Sequence, residues 1–321
     1  MRLKFIDKLF LLFFLLINIA YAKDTIPVSI FKSVGFVNDF TVNENNLYVG
    51  NDAGTVDVFD IKTAKIINQI SLPPLTSSMN KIIPADILSV DYLNGKLLIL
   101  SVGKDAYRNV WIYENYMLKQ IVNEEEKLII KEARFVNDEQ MIFATLGSDI
   151  ILHDMSEKYN LYNTHISYSA LGDITLTPDK KKMIIADESG AVKIVDTKSS
   201  TIDKIYSSEN VDNIYRVAYA NGIIITAGQD RRVGVYQKNQ KPYHIKSNFL
   251  VFCVGISPSG KTAVYSSGEE NHLQLFNPKT KQMHERLVGH KSIINQIKFI
   301  NEEELFSSSR DNYIYYWQVN K

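Results

Sequence analysis

The chain has 321 residues, of which 36 are basic and 36 acidic, so its formal net charge is zero. This balance argues against a nucleic-acid partner, because binding to a phosphate backbone requires a basic face. The single cysteine, Cys253, excludes an intramolecular disulfide, so the fold must be stabilised by a core drawn from the 45% of residues that are hydrophobic.

The first 22 residues have the pattern of a cleavable secretory signal. Basic residues begin the segment, an apolar stretch follows over residues 9–20, and Ala20-Tyr21-Ala22 supplies an A-x-A cleavage site. The apolar stretch is shorter than the roughly 18 residues that a membrane anchor needs. We therefore predict a signal peptide over residues 1–22, export of residues 23–321 to a bacterial periplasm, and no stable membrane anchor.

Two landmarks recur seven times along the exported chain. One is a strand that ends just before a loop, and these ends fall at Phe59, Tyr113, His153, Val195, Tyr236, Phe276 and Trp317. The other is an earlier strand with two apolar residues one position apart, from Phe40 and Val42 in the first repeat to Ile297 and Phe299 in the last. The repeat of about 40 residues is typical of propeller blades, although hydrophobic spacing alone also suits a pair of β-sandwiches.

We predict an all-β fold, a single seven-bladed β-propeller over residues 23–321. A four-stranded blade cannot bury both of its faces alone, so the blades must pack in a closed ring. Residues 27–33 are expected to close that ring as the outer strand of blade seven, which would leave no long unpaired edge.

No motif for metal, haem, nucleotide or nucleophilic chemistry is found in the sequence. It contains no C-x-x-C-H, H-E-x-x-H or G-x-S-x-G motif, and its six histidines and seven methionines are dispersed. The sequence therefore predicts no metal site, no cofactor and no catalytic residue.

A ring of polar residues is predicted around the central channel. Strand alternation places one residue of each innermost strand at the same depth. These residues are Asp39, Ser89, Glu132, Asp173, Arg216, Cys253 and Gln296. The ring can be interpreted as a ligand or metal pocket with perturbed pKa values, or as the polar lining that a wet channel needs, and the second interpretation is favoured.

A second candidate surface is the rim formed by the turns between the second and third strands of the blades. Its predicted partner-binding residues are Tyr107, Arg108, Arg231, Arg232, His272, Arg310 and Tyr313. Arginine and tyrosine are enriched at interface hot spots, although charged residues also occupy solvated turns by default. The connection over residues 72–85 is longer than its counterparts, and extra loop length on a rigid scaffold often carries function.

The last repeat, Gly289 to Val319, resembles the WD repeat. The resemblance implies that His290, Ser307, Asp311 and Trp317 form one hydrogen-bonded tetrad that pins three strands. Blades one and four are more similar to the YVTN-type bacterial propeller repeat. In WD-type propellers the turn rim commonly holds protein partners, and the motif defines a scaffold instead of a reaction.

These observations predict a non-enzymatic, monomeric scaffold that docks another exported protein. The layout is similar to the accessory L component encoded with periplasmic nitrate reductases, which implies a role in assembly or maturation and a redox enzyme or its precursor as the partner. The alternatives are a lactonase-like hydrolase that works at the channel mouth with Asp39, Glu132 and Asp173, or a propeller that binds a small ligand there.

Overall fold

The computed structural model describes residues 24–77 and 79–319, so the predicted signal segment 1–22 lies outside the described residues. In this described part of the chain nearly all regular structure is β-strand, and the helical elements are two 3₁₀ turns, Lys104–Ala106 and Glu124–Glu126. No helix within residues 24–77 and 79–319 has the length and apolarity of a bilayer-spanning helix.

Seven sheets follow one another along the chain, each with strands a to d from the inside outwards. Two N-terminal strands, β1 (Asp24–Thr25) and β2 (Ser29–Lys32), precede them. Blade 1 consists of β3 (Val37–Val42), β4 (Asn46–Asn51), β5 (Thr55–Asp60) and β6 (Lys65–Ser71). Blade 2 consists of β9 (Ile87–Leu93), β10 (Lys96–Val102), β11 (Arg108–Glu114) and β12 (Met117–Val122). Blade 3 consists of β13 (Ile130–Phe135), β14 (Gln140–Thr145), β15 (Asp149–Asp154) and β16 (Tyr159–His165).

Blades 4 to 7 repeat this order. Blade 4 consists of β17 (Leu171–Leu176), β18 (Lys182–Asp187), β19 (Val192–Asp196) and β20 (Ile202–Tyr206), and blade 5 of β21 (Ile214–Ala220), β22 (Ile223–Gly228), β23 (Arg232–Gln237) and β24 (Tyr243–Lys246). Blade 6 consists of β25 (Val254–Ile256), β26 (Ala263–Ser267), β27 (His272–Phe276) and β28 (Met283–Leu287). Blade 7 consists of β29 (Ile294–Phe299), β30 (Glu304–Ser309) and β31 (Tyr313–Gln318), with β2 as its strand d. Innermost strands of successive blades contact one another, and β29 contacts β3. The predicted seven-bladed propeller is therefore confirmed.

Strand β2 closes the ring. It pairs antiparallel with β31, with Ser29 opposite Tyr316 and Lys32 opposite Tyr313. This confirms the predicted closure by residues 27–33. An additional contact was not predicted: β1 pairs parallel with β28 of blade 6. The N-terminal segment therefore joins the outer edges of two neighbouring blades.

The core lies between the blades because each sheet presents alternating apolar residues to both neighbours. At the closure, Phe31 of β2 is fully buried against Phe59 of blade 1 and Phe306 of blade 7, with ring centroids 5.6 Å apart in both pairs. Such edge-to-face contacts contribute stability beyond the apolar area that they bury.

The alternation of strand direction defines two faces of the ring. The d-to-a connections and the b-to-c turns lie on one face, called the top face here, and the a-to-b and c-to-d turns lie on the bottom face. The long connection over residues 72–85 lies on the top face and contains a short hairpin of β7 (Leu75–Thr76) and β8 (Ile82–Ile83). On the bottom face, Asn94 and Gly95 both have positive φ, of 47° and 87°, as a two-residue hairpin turn requires.

Candidate functional site

The innermost strands share a β-bulge at the level of the predicted channel ring. In blade 1 the pairing with β4 passes from Val37 to Asp39 and skips Asn38. Equivalent irregularities occur in blades 2, 3, 4, 5 and 7. The residues left out of register are Asn38, Leu88, Lys131, Gly172, Tyr215 and Asn295. A bulge re-aims side chains next to it, and these residues line the top mouth of the channel.

The predicted ring residues are brought together by contacts between blades. Arg216 Nη1 lies 3.3 Å from Glu132 Oε1 and 3.3 Å from Asp173 Oδ1. Gln296 exchanges two hydrogen bonds with the backbone of Phe40, at 2.9 and 3.1 Å. Asp39, Ser89, Glu132, Asp173 and Cys253 are buried. The ring therefore crosses from blade to blade through charged and polar contacts.

Arg134 is a central member of this network that the sequence analysis missed. Its guanidinium lies 2.6 Å from Glu132 Oε2 and 3.4 Å from Asp39 Oδ2, and it also donates to Ser89 Oγ. Arg134 follows Glu132 by two positions, so strand alternation was the signal that could have found it.

The aspartates of the channel also hold the backbone of the next blade. Asp39 Oδ2 accepts the amide of Val90 at 2.9 Å, and Asp173 Oδ2 accepts the amide of Val217 at 2.8 Å. Asp91, two residues beyond Ser89, accepts the amide of Phe135 at 2.9 Å. Each carboxylate therefore joins two blades, and this accounts for its place in the channel without a ligand.

Burial and charge set the protonation of the ring. Burial raises the pKa of Glu132, although Arg134 and Arg216 act in the opposite direction. Burial alone would lower the pKa of Arg216, but Asp173 and Glu132 raise it above its usual value. Burial raises the pKa of Cys253 to about 12, so the group remains a thiol at neutral pH and is a poor nucleophile.

No cluster of three or more His, Cys, Asp or Glu residues within residues 24–77 and 79–319 is arranged to hold a metal ion. The three carboxylates that the hydrolase alternative needs, those of Asp39, Glu132 and Asp173, instead contact the two arginines and the backbone amides of neighbouring blades.

The channel and the predicted rim meet in one cavity. This cavity of about 730 Å³ opens on the top face. Arg108 and Arg310, both predicted rim residues, line its mouth, while Arg216 and Glu132 of the ring lie deeper. The sequence predicted the rim and the channel as separate candidate surfaces, but the structure places members of both in a single cavity.

The other rim residues differ in how firmly they are held. Arg232 donates to the Glu209 carbonyl at 3.0 Å and His272 lies 3.0 Å from Glu270. Tyr107 caps the Lys104–Ala106 turn, and the Tyr313 amide donates to Asp311 at 3.0 Å. Arg231 is exposed and, among the described residues, makes no ion pair with a side chain. Arg231 is therefore available to a partner, whereas Arg232 is partly engaged.

The two faces differ in exposed apolar side chains. On the top face, the exposed large hydrophobic residues are Val34, Phe36, Met79, Ile82, Ile83, Ile129, Leu146, Tyr168 and Val211. On the bottom face, the turns among the described residues expose Tyr116 alone of this kind. A contiguous apolar patch rimmed by polar residues marks an interaction surface, whereas single scattered apolar side chains do not.

The tetrad residues are linked in blade 7, partly through a fifth residue. Trp317 Nε1 donates to Ser307 Oγ at 2.7 Å, and Ser307 Oγ lies 2.6 Å from His290 Nε2. His290 does not reach Asp311 directly. Its Nδ1 lies 3.1 Å from Ser309 Oγ, which donates to Asp311 Oδ1 at 2.9 Å.

A related network in blade 5 was missed by the sequence analysis. Thr226 Oγ1 donates to Asn210 Oδ1 at 2.5 Å, and Asn210 Nδ2 donates to Asp230 Oδ1 at 3.1 Å. Thr226 precedes Tyr236 by ten residues, as Ser307 precedes Trp317, so the shared spacing could have identified the network.

The comparisons with known proteins agree with this architecture. The sequence model of the family described as "WD domain, G-beta repeat" matches residues 281–318. No curated protein sequence matches the chain. Among solved structures, the β-propeller domain of Cps50 (Swd1) from Myceliophteria thermophila is similar with a TM-score of 0.73 and 14% sequence identity, over 92% of this chain and 99% of that one. The chain is thus a β-propeller whose seventh blade carries a WD-type repeat.

Proposed function

We propose that the protein is a non-enzymatic scaffold that docks another protein on its top face. The observation that carries this proposal is the difference between the faces: exposed apolar side chains are concentrated in the top connections, together with Arg231 and Arg310. A surface that mixes apolar residues with arginine suits a protein partner better than a small molecule.

The contacts of the channel weigh against the hydrolytic alternative. A general base or metal ligand needs a carboxylate that can approach the substrate, yet Glu132 and Asp173 contact Arg216 and are buried. We therefore favour docking as the function and treat the ring as the structural centre of the scaffold.

A narrower proposal follows from the layout of the sequence. The predicted signal peptide and the degenerate WD-type blades suggest a periplasmic accessory factor that supports assembly or maturation of a nitrate reductase system. Its partner would be an exported redox enzyme or the precursor of one, bound by the monomeric propeller.

Two tyrosines give a matched test of the docking face. Tyr168 on the top face and Tyr116 on the bottom face are 102% and 89% exposed. Each would be replaced in vivo by the photoreactive p-benzoylphenylalanine, and cross-linked proteins would be identified by mass spectrometry. We expect a discrete adduct with an exported protein from position 168, weakened by Arg231→Glu with Arg310→Glu. Adducts from position 116 alone, or from neither position, would contradict the proposal.

A further inference from the structure

Several cationic groups line the cavity that opens on the top face, called the mouth cavity here. Arg108, Lys131, Arg216 and Arg310 line it, and among the described lining residues Glu132 is the one carboxylate. Glu132 is already engaged by Arg134 and Arg216. The cavity therefore presents an excess of positive charge although the chain as a whole is neutral.

Within residues 24–77 and 79–319, three of these cations form no ion pair with a carboxylate, although Asp173 and Glu132 lie near enough to Lys131 to act on its charge. Lys131 Nζ donates to the carbonyls of Leu171 and Gly172, at 2.7 and 2.6 Å, and Arg108 Nε donates to the Ile130 carbonyl at 3.2 Å. Arg310 is exposed, and within residues 24–77 and 79–319 its side chain forms no ion pair. Glu188 of the top rim is not among the residues described as lining the cavity, although its charge acts on Lys131.

One wall of the same cavity is aromatic. Tyr215 and Phe252 stack with centroids 5.5 Å apart and an interplanar angle of 18°, and Phe249 packs edge-on against Phe252 at 6.1 Å. Ile129 and Leu146 lie on another wall and are 43% and 47% exposed. The cavity thus combines cationic side chains with apolar surface, and its volume is within the range of about 300–1,000 Å³ of ligand pockets.

We propose that the mouth cavity binds an acidic segment of the docked protein, in which carboxylates flank an aromatic or large aliphatic side chain. The carboxylates would meet Arg310, Arg108 and Lys131, and the apolar side chain would pack on Tyr215 and Phe252. This inference rests on the proposed docking function. A peptide is favoured over a free small acid because the cavity opens directly onto the rim and its exposed apolar side chains.

Selection from a random heptapeptide library displayed on phage tests this specificity. The bait is the exported chain, residues 23–321. We expect the selected peptides to be enriched in Asp and Glu around one aromatic or large aliphatic residue. A synthetic copy of the leading peptide should bind Arg310→Gln about tenfold more weakly than wild type, since a hydrogen bond to a charged group is lost.

The control is Lys241→Gln, which removes one positive charge from an exposed turn on the bottom face. The Lys241→Gln variant should bind the leading peptide with the affinity of wild type. A peptide in which Asn and Gln replace the Asp and Glu residues should not bind to wild type. The inference would be overturned if the library yielded no peptide or the selected peptides were not enriched in acidic residues. It would also be overturned if Arg310→Gln bound the peptide as tightly as wild type, or if citrate at a matched carboxylate concentration displaced the peptide completely. A top-face adduct from Tyr168 together with any of these results would leave the docking function standing and remove the acidic specificity alone.

Discussion

At the scale of single residues, the blade 7 network has one consistent direction of hydrogen bonding. Trp317 can only donate to Ser307 Oγ, and because burial keeps the His290 imidazole neutral, its Nε2 can accept the Ser307 hydroxyl proton. His290 Nδ1–H then donates to Ser309, and Ser309 donates to Asp311. This direction requires a neutral imidazole with its proton on Nδ1.

Removal of the Ser307 hydroxyl should destabilise the protein by about 2–4 kcal/mol, because Trp317 and His290 would both lose a buried partner. The change is Ser307→Ala, and the measurement is the free energy of unfolding in urea. As a control, Ser208→Ala alters an exposed hydroxyl and should change stability by less than about 0.5 kcal/mol. Equal effects of the two changes would contradict the structural role of the network.

The neutral state of His290 predicts a pH dependence. Burial lowers the pKa of His290 to about 3 from the ordinary value of 6.5. Between these values the unfolded chain binds a proton that the folded chain does not, so this residue reduces stability as the pH falls below 6.5. From about pH 7.5 to about pH 4.5 we expect a loss of about 2–3 kcal/mol. Urea unfolding of His290→Gln should show a flatter profile than wild type, and parallel profiles would refute the assignment.

At the scale of elements, the seven innermost strands are held by a charge network that the sequence predicts only in part. Alternation predicted the ring residues, because a strand repeats every two positions, and the structure places Glu132, Asp173 and Arg216 of this set in contact. It did not identify the bulge, which depends on pairing between strands and brings Lys131 and Tyr215 to the channel mouth. For the same reason it could not predict that Arg108 and Arg310 share a cavity with Arg216.

The network predicts strong coupling between Arg216 and Glu132. Arg216→Met should cost about 3–5 kcal/mol of unfolding free energy, because buried carboxylates would lose a charged partner. Adding Glu132→Gln should recover about 1 kcal/mol or more of this loss. A double-mutant cycle from urea unfolding measures the coupling. Strict additivity would show that the two side chains do not stabilise each other.

The closing strand β2 offers a matched pair of adjacent residues. Phe31 is fully buried between blades 1 and 7, whereas Ile30 is 50% exposed on the opposite face of the strand. Phe31→Ala should reduce the free energy of unfolding by about 3–5 kcal/mol, and Ile30→Ala by about 1 kcal/mol or less. Thermal and urea unfolding check both values. A similar small cost for both changes would mean that β2 contributes little to closure.

At the scale of the whole molecule, the sequence predicted the number of blades and the closing strand. The alternation of apolar residues repeats in every blade, so the blades can be counted even where the WD-type motif is incomplete. The sequence did not predict the parallel pairing of β1, because a strand of two residues, Asp24 and Thr25, is too short to show an alternation of apolar and polar residues. The contrast between the faces was also hidden, because exposed and buried apolar residues look alike in a sequence.

Cys253 should report on opening of the whole ring. It lies in the innermost layer, 1% exposed, with its thiol protonated. We expect a thiol reagent such as DTNB to label the native protein at least about a thousandfold more slowly than a free thiol. The labelling rate should rise in parallel with global unfolding in urea. Rapid labelling without urea would indicate local opening of blade 6 and contradict the rigid ring.

The closure by β2 also affects the order of events during synthesis. Residues 29–32 leave the ribosome before nearly all of the chain, yet their partner strand β31 ends at Gln318. Until that strand exists, Phe31 has no pocket and the backbone of β2 has no partner. The nascent protein therefore carries Phe31 as an exposed apolar side chain that a chaperone can recognise, and the completed ring buries it. Release from such a chaperone would then be timed by the final blade.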